Sequence, residues 1–328
     1  MFTLFSDMLV CYNTAHASPG LDSGKEGYRS QGVPMPKYIT KASDLVTDRT
    51  ATVEGFLAQA LEKTRQAQPL VASAIALWQQ LQKVPSIHAC ATLKSIRPQL
   101  LAAAGFSQKS LNHLSDQEQQ NALEEALKAV DATSPQDWRM DVFCRYLLTL
   151  GDALGGTMRN LTGASGSARF VDAVMCALAA AGQNPHVTKS KSGKIQTITW
   201  PGRILVLDKK PKFIGKNIDV ILLDTHKPSA SVQARLEQAC DYLACGELKG
   251  GIDPAGADEH WKTANSALIR IRTACVQSPP KLFFVGAAIE NSMSDEIFAQ
   301  LQDGRLAHAA NLTKPDQLRD LAEWLVSL

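Results

Sequence analysis

The hydrophobic pattern of this chain changes period once, and that change restricts the fold more than any other feature. From Asp44 to Leu161 apolar residues return every three or four positions, the spacing of one helix face. Val53, Phe56, Leu57, Ala60 and Leu61 form one such set, and Leu70, Ala74, Leu77, Trp78 and Leu81 another. Ser115 followed by Glu118 has the spacing of a capping box and predicts a helix over Gln117–Val130. Pro135 opens a further helix carrying Trp138, Val142, Tyr146 and Leu150. A loop is expected at Gly163–Gly166, then one more helix, Ala168–Ala181, stopped by Gly182-Gln183-Asn184-Pro185. Beyond it the segments ITW, RILVLD, DVILLD, LACGELKG and KLFFVGAAI are short, apolar and rich in β-formers. Helices are expected between them at Ser231–Tyr242 and Ala257–Cys275, with Ile297–Leu301, LAHAAN and Gln317–Val326 continuing the alternation. The pattern predicts an α/β (α+β) protein, a mixed central sheet flanked by helices, preceded by a mostly helical region. Residues 1–43 read as an arm, with 13–36 rich in Gly, Ser and Pro; 44–162 read as the helical region and 163–328 as the sheet domain.

At 328 residues, 45% hydrophobic and 20% charged, the chain is long enough for a substantial core and is not of disordered composition. Its seven cysteines (11, 90, 144, 176, 240, 245 and 275) are scattered and never form CxxC. That usage points to reduced thiols in a bacterial cytoplasm and away from a zinc cluster. No apolar run reaches the length of a membrane span. The opening MFTLFSDMLVCYNTAHA ends on a cleavage-like Ala15-His16-Ala17, but it lacks a basic start and Asp7 interrupts the apolar run, so no signal peptide is expected.

The stretch CGELKGGIDPAGADEHWKTA concentrates titratable groups beside turn-formers. Glu247 and Lys249 lie two apart on a strand and share a face, while Leu248 points the other way into a core. On their own they are a weak signal and read more readily as a surface cross-strand pair. Asp219 heads the strand-like DVILLD; if that strand is a neighbour, two carboxylates and an amine converge at the sheet edge. The carboxylates of Asp219 and Glu247 with the Leu248 carbonyl would suit Mg2+, a hard cation that prefers oxygen ligands, and Lys249 would stabilise charge developing on a phosphodiester. This is the arrangement of a PD-(D/E)xK phosphodiesterase. Asp224, at the far end of DVILLD, reads as a turn residue. His260 is, most plainly, a polar residue in the first turns of a helix beside Asp258 and Glu259. The GGIDPAG loop brings that helix start back toward Lys249, and an imidazole, titrating near about 6.5, could accept the proton of an attacking water.

The segment GELKGGIDPAGADEHWKTA resembles the active-site segment of the AvaI/BsoBI family of type II restriction endonucleases. The early helical region and the Asp preceding ExK agree with it. The resemblance implies a PD-(D/E)xK nuclease core, with Asp219, Glu247 and Lys249 as the nuclease triad and His260 assisting the attacking water. It also implies base contacts from Asp253, whose carboxylate can accept from cytosine N4, and from Lys83 in the helical region. The partners implied are a double-stranded CYCGRG site, a second copy of the chain in a homodimer encircling the duplex, and a cognate DNA methyltransferase acting on the same site without forming a stable complex.

Two further stretches read in two ways. In GDALGGTMRNLTG, Gly155 and Gly156 could permit close helix packing, with Asn160 or Thr162 ending the element; alternatively Arg159 and Asn160 face phosphates. Between His186 and Asn217, Lys189, Lys191, Lys194, Arg203, Lys209, Lys210, Lys212 and Lys216 stand against one acid, Asp208. Such a run is either a solvated face or a phosphate-contacting surface. Gly193 predicts a hairpin turn whose tip could enter a groove. The expected activity is Mg2+-dependent, sequence-specific hydrolysis of duplex DNA leaving 5′-phosphates. A repair or nicking nuclease of the same core chemistry, and a DNA-binding protein without catalysis, are the alternatives. A nucleotide-cofactor enzyme is disfavoured because neither GxGxxG nor a P-loop occurs.

Overall fold

The computed structural model describes residues 34–226 and 231–328. The expectations for the N-terminal stretch up to residue 33, among them the signal-peptide reading, most of the arm and Cys11, lie outside the described residues. Six helices come first: α1 (Arg49–Leu81), α2 (Ile87–Cys90), α3 (Arg97–Ala103), α4 (Gln108–Leu111), α5 (Asp116–Thr133) and α6 (Trp138–Ala180). Their shared core joins Leu77 and Leu81 of α1 to Leu100, Leu123, Leu127, Trp138, Val142 and Tyr146. Ala74, Leu77 and Leu81 of one expected stripe meet Trp138, Val142 and Tyr146 of another here, whereas Val53, Phe56, Leu57 and Leu61 are exposed. The guanidinium of Arg139 donates to the Leu81 carbonyl at 3.0 Å, satisfying an acceptor that the end of a helix leaves free. The Ser115–Glu118 capping box forms at the start of α5.

The loop expected at Gly163–Gly166 does not exist: α6 runs unbroken for 43 residues. The sequence Gly163-Ala164-Ser165-Gly166 is a poor helix former, but tertiary contact outweighs propensity. A Cβ on Gly166 would stand 2.8 Å from the Gly250 Cα, so the two backbones touch at this point. Asn160 and Thr162 consequently lie within the helix and do not end it. The 162/163 division also falls inside α6.

The second half builds seven strands: β1 (His186–Lys189), β2 (Ile195–Trp200), β3 (Arg203–Lys209), β4 (Ile218–Asp224), β5 (Tyr242–Lys249), β6 (Lys281–Gly286) and β7 (His308–Asn311). They follow chain order across one sheet. Pairs are antiparallel through β5, where connections are short, and parallel from β5 to β7. Parallel neighbours need a crossover, supplied by α8 (Ala257–Ala274) and α9 (Asn291–Gln302), which follow the short helix α7 (Val232–Arg235); α10 (Pro315–Ser327) closes the chain. The α/β fold with an N-terminal helical region is as expected.

Alternation along the strands divides the core in two. Ile221, Leu223, Cys245 and Phe284 face Trp261 and Ile271 of α8 and Ile297 of α9. Val220, Leu222, Ala244 and Phe283 face Phe170, Val174 and Leu178 of α6, with Leu321 and Leu325 of α10. The segment before α1 docks on the sheet end: Ile39 and Leu45 are buried, and Asn311 donates to the Leu45 carbonyl and the Thr47 hydroxyl, each at 2.8 Å.

The helix expected over Ser231–Tyr242 shrinks to α7 and a 3-10 turn at Ala239–Asp241. Arg235 and Asp241 pair in the interior at 3.4 Å, and the Tyr242 hydroxyl donates to the Leu236 carbonyl at 2.7 Å. The chain therefore folds inward where the pattern alone suggested a straight helix. The described cysteines are all free thiols, with Cys90, Cys245 and Cys275 buried. Among the described residues no helix is long and apolar enough to cross a membrane.

Candidate active site

Strand register fixes the site. Val220 pairs with Gly246, so one further step along the antiparallel ladder sets Asp219 beside Glu247. The Leu248 N–H donates to Asp219 Oδ2 at 2.8 Å, and the Lys249 ammonium lies 3.5 Å from Asp219 Oδ2 and 3.1 Å from Glu247 Oε2. Leu248 itself packs on the opposite face of the sheet. Asp219, Glu247 and Lys249 thus form one contact cluster at the end of β4 and β5.

The cluster is electrostatically tense. Burial, with the adjoining Asp219 carboxylate adding repulsion, pushes Glu247 up to about 7 despite the nearby ammonium. Burial opposes charge on Lys249 as well, but Asp219 and Glu247 outweigh it and hold the amine above its usual range. Glu247 Oε1 is buried with no hydrogen-bond partner. A buried carboxylate oxygen without a donor is costly, and a cation at that oxygen would relieve the cost. The donor set, two carboxylates beside a strand carbonyl, fits a hard divalent ion. Among the described residues no cluster of three or more His, Cys, Asp or Glu side chains suited to a metal occurs, so the carboxylate pair would rely on backbone and water oxygens for its remaining ligands.

Past Lys249 the chain turns through Gly250 and Gly251. A Cβ on Gly250 would stand 2.7 Å from the Thr162 carbonyl, so only glycine lets α6 lie this close. Ile252 then inserts into the core, and Asp253 caps a 3-10 turn at Pro254–Gly256 by accepting from the Ala255 N–H at 3.0 Å. Trp261, fully buried, anchors the first turn of α8 against Phe284 and donates to Glu296 at 2.6 Å. The neighbouring His260 ring is thereby laid over Gly251 and Gly256. A cleft of about 430 Å³ results, lined by Lys249, Asp253 and His260 on one side and by Gln59 of α1 with Met158 and Arg159 of α6 on the other.

The structure separates other candidates. Asp224 is at the far end of β4, roughly 17 Å from Asp219 at the rise of a strand, where Arg203 and His226 hold it. Arg203 is therefore not part of the basic surface near the site. Lys83 lies just past α1, exposed, and does not line the cleft; Gln59 does, and the helix between them is roughly 33 Å long. Arg159 lines the cleft, whereas Asn160 is exposed and does not. Gly155 and Gly156 meet only the Arg159 side chain, at 3.8 Å, so the close packing anticipated there occurs instead at Gly166.

The remaining lysines gather near the cluster. The β1–β2 hairpin turns at Ser190–Lys194, with Gly193 at φ 83° and a 2.8 Å bond from the Ser190 N–H to the Lys194 carbonyl. Antiparallel pairing of β2, β3 and β4 puts this tip and the β3–β4 loop at the same end of the sheet as Asp219. Lys194 pairs with Asp208 at 2.9 Å. Lys189, Lys191, Lys210 and Lys212 form no ion pair among the described residues, and Lys209 ends β3 beside them. Of the residues on this wall, Arg159 is one the sequence singles out, whereas Gln59 and Met158 are not. The trace of Gln59 there is a polar residue on the stripe of α1 that also carries Gly55, a position an ordinary core stripe would fill with an apolar side chain.

Residues 36–328 match the family model described as restriction endonuclease BsobI. The chain is 37% identical over 316 residues to the type II restriction enzyme AvaI of Nostoc sp., covering 90% of this chain and 100% of the relative. It is 34% identical over 318 residues to the type II restriction enzyme BsoBI of Geobacillus stearothermophilus, covering 90% and 98%. With nearly the whole length matched and a carboxylate–lysine cluster on its sheet edge, the chain belongs to the BsobI restriction endonuclease family and is a site-specific deoxyribonuclease.

Proposed function

We propose that this enzyme uses Mg2+ to hydrolyse both strands of a palindromic six-base site of the CYCGRG type, leaving 5′-phosphate and 3′-hydroxyl ends. The observation that carries the reading is the orphaned, buried Glu247 oxygen beside Asp219 and Lys249. Asp219 and Glu247 would hold the ion, joined by the Leu248 carbonyl. The N–H and C=O of one strand residue point to the same edge, and the Leu248 N–H already meets Asp219. When bound, Mg2+ supplies positive charge beside the scissile phosphate and acidifies water.

Lys249 donates to a non-bridging phosphate oxygen and offsets its charge as the water oxygen bonds to phosphorus. His260, on the same side of the cleft as Lys249, accepts the water proton. The P–O3′ bond then breaks and its oxygen takes a proton from solvent. Arg159, with Lys189, Lys191, Lys194, Lys209, Lys210 and Lys212, contacts phosphates, so affinity falls steeply with salt. Asp253 accepts from a base, although one of its oxygens is occupied by the Ala255 N–H. Lys83, remote from this cleft, and Asn160, beside Arg159 but outside the lining, meet DNA elsewhere along the duplex.

The working unit is a homodimer, since a two-fold site is matched by a two-fold protein. Exposed apolar residues on α1 support it: Leu57 is 60% and Leu61 74% accessible, next to Val53 and Phe56, an unusual surface for a monomer. The enzyme acts in a bacterial cytoplasm, where a cognate methyltransferase protects the host sites. The test is incubation of plasmid DNA with Mg2+, against an EDTA control, followed by sequencing of fragment ends. Discrete Mg2+-dependent ends at CYCGRG are expected. Nicks without fixed position would favour a repair nuclease, and intact but bound DNA a protein without catalysis.

A further inference from the structure

Gln59 brings an uncommitted polar group from the helical region into the cleft. It lines both the 430 Å³ cleft and an adjoining hollow of about 360 Å³ between α1, α6 and Gly250. Of the other polar groups of the cleft, Lys249 lies between two carboxylates and Asp253 caps a turn, while Arg159 and His260 carry the roles proposed above. Two turns along α1, Gln66 is bonded to Glu62 at 2.7 Å. The amide of Gln59, half-buried, makes no hydrogen bond among the described residues. A half-buried donor and acceptor side by side, facing a substrate channel, calls for a ligand edge with the complementary pair.

We infer that Gln59 reads a purine in the DNA strand held by this cleft, with its Nε2–H donating to N7 and, at adenine, its Oε1 accepting from N6. This inference rests on the nuclease reading. Phosphates in the cleft are served by the cations Lys249 and Arg159, and a neutral amide adds less there. Base edges present the paired donor and acceptor that an amide matches. The geometry gives the helical region a share in specificity, delivered by the same helix that touches the catalytic loop.

The experiment uses the full chain and short duplexes carrying its cleavage site, with each purine replaced in turn by its 7-deaza analogue, which lacks N7. Wild-type kcat/KM should fall about tenfold or more at one purine of each half-site, within the range for a lost base contact. Gln59→Leu should show a similar fall on the ordinary duplex and no further fall at that 7-deaza position. Its thermal midpoint should match wild type, since the amide has no partner to lose. The inference is overturned if Gln59→Leu cleaves like wild type, or if it loses the same additional factor as wild type at every 7-deaza position. A lowered thermal midpoint together with uniform loss would mark a structural role and overturn it too. If wild type leaves the duplex whole, the nuclease reading itself fails, an outcome distinct from all of these.

Discussion

The two halves of this molecule bury their surfaces differently. The sheet is covered on both faces, by α8 and α9 on one side and by α6 and α10 on the other, so its central strands are buried while the edge strand β1 is largely exposed. The helical region has a single core, at the end formed by the second half of α1 with α3, α5 and the start of α6. The first half of α1 buries little and leaves Val53, Phe56, Leu57 and Leu61 accessible. The sheet therefore carries reactive groups on a frame that stands by its own packing. The middle of α6 is held to it through backbone contacts of Thr162 and Gly166 with Gly250, and α1 where Gly55 abuts the Ile252 side chain; both helices line the cleft. On the mechanism proposed above, reactivity comes from one region and positioning from the other.

The contrast breaks most severely at the joint. Gly166→Val forces α6 off the catalytic loop, and a displacement near 1 Å at a reacting group costs about a hundredfold in rate. Single-turnover cleavage should fall by that order while metal-free DNA binding changes little; an undiminished rate would mean that the contact does not position the site. His260→Ala acts within the sheet's side of the cleft. Losing a proton acceptor costs about a hundredfold or more, and the deficit should narrow as pH rises and hydroxide replaces the missing base. A pH-independent deficit would return His260 to a packing role.

Two milder substitutions address the regions one at a time. Burial opposes ionisation of Asp320, but His308 and the Lys37 N–H outweigh it and keep its carboxyl below the usual range. A depressed folded value contributes stability that is complete above the unfolded value, about 3.9, and lost as pH falls through it toward the folded value. Asp320→Asn should therefore lower stability at pH 7 by about 1.5 kcal/mol, with the gap to wild type closing below about pH 4. Ser115→Ala removes the cap of α5 and should cost about 1 kcal/mol. Hydrogen exchange separates the two: the first should loosen β7 and α10, the second α5 alone.

Much of this was legible in the sequence because it depends on local rules. Short apolar runs rich in β-formers marked the strands, Ser115 with Glu118 marked a cap, and Gly193 marked the hairpin. The ExK spacing put Glu247 and Lys249 on one face, and Asp219 was the carboxylate that a neighbouring strand could bring to them. The misses share a different cause. The loop expected at Gly163–Gly166 and the helix expected after Ser231 were overridden by tertiary contacts with Gly250 and by the buried Arg235–Asp241 pair. Arg203 joined a basic run by proximity in sequence, whereas strand direction carries it to the opposite end of the sheet. Gln59 lies 190 positions before Lys249 in the chain, and no local pattern can report that they share a cleft.

The central claim is that the Asp219–Glu247–Lys249 cluster performs the chemistry and does not serve merely as an ion network at a sheet edge. The most direct test is cleavage of a site-bearing duplex by Lys249→Ala with Mg2+, with binding of the same duplex measured in parallel. The account expects binding close to wild type and cleavage reduced by about a thousandfold or more, as for loss of a group that stabilises transition-state charge. Cleavage at the wild-type rate by a clean preparation would contradict it.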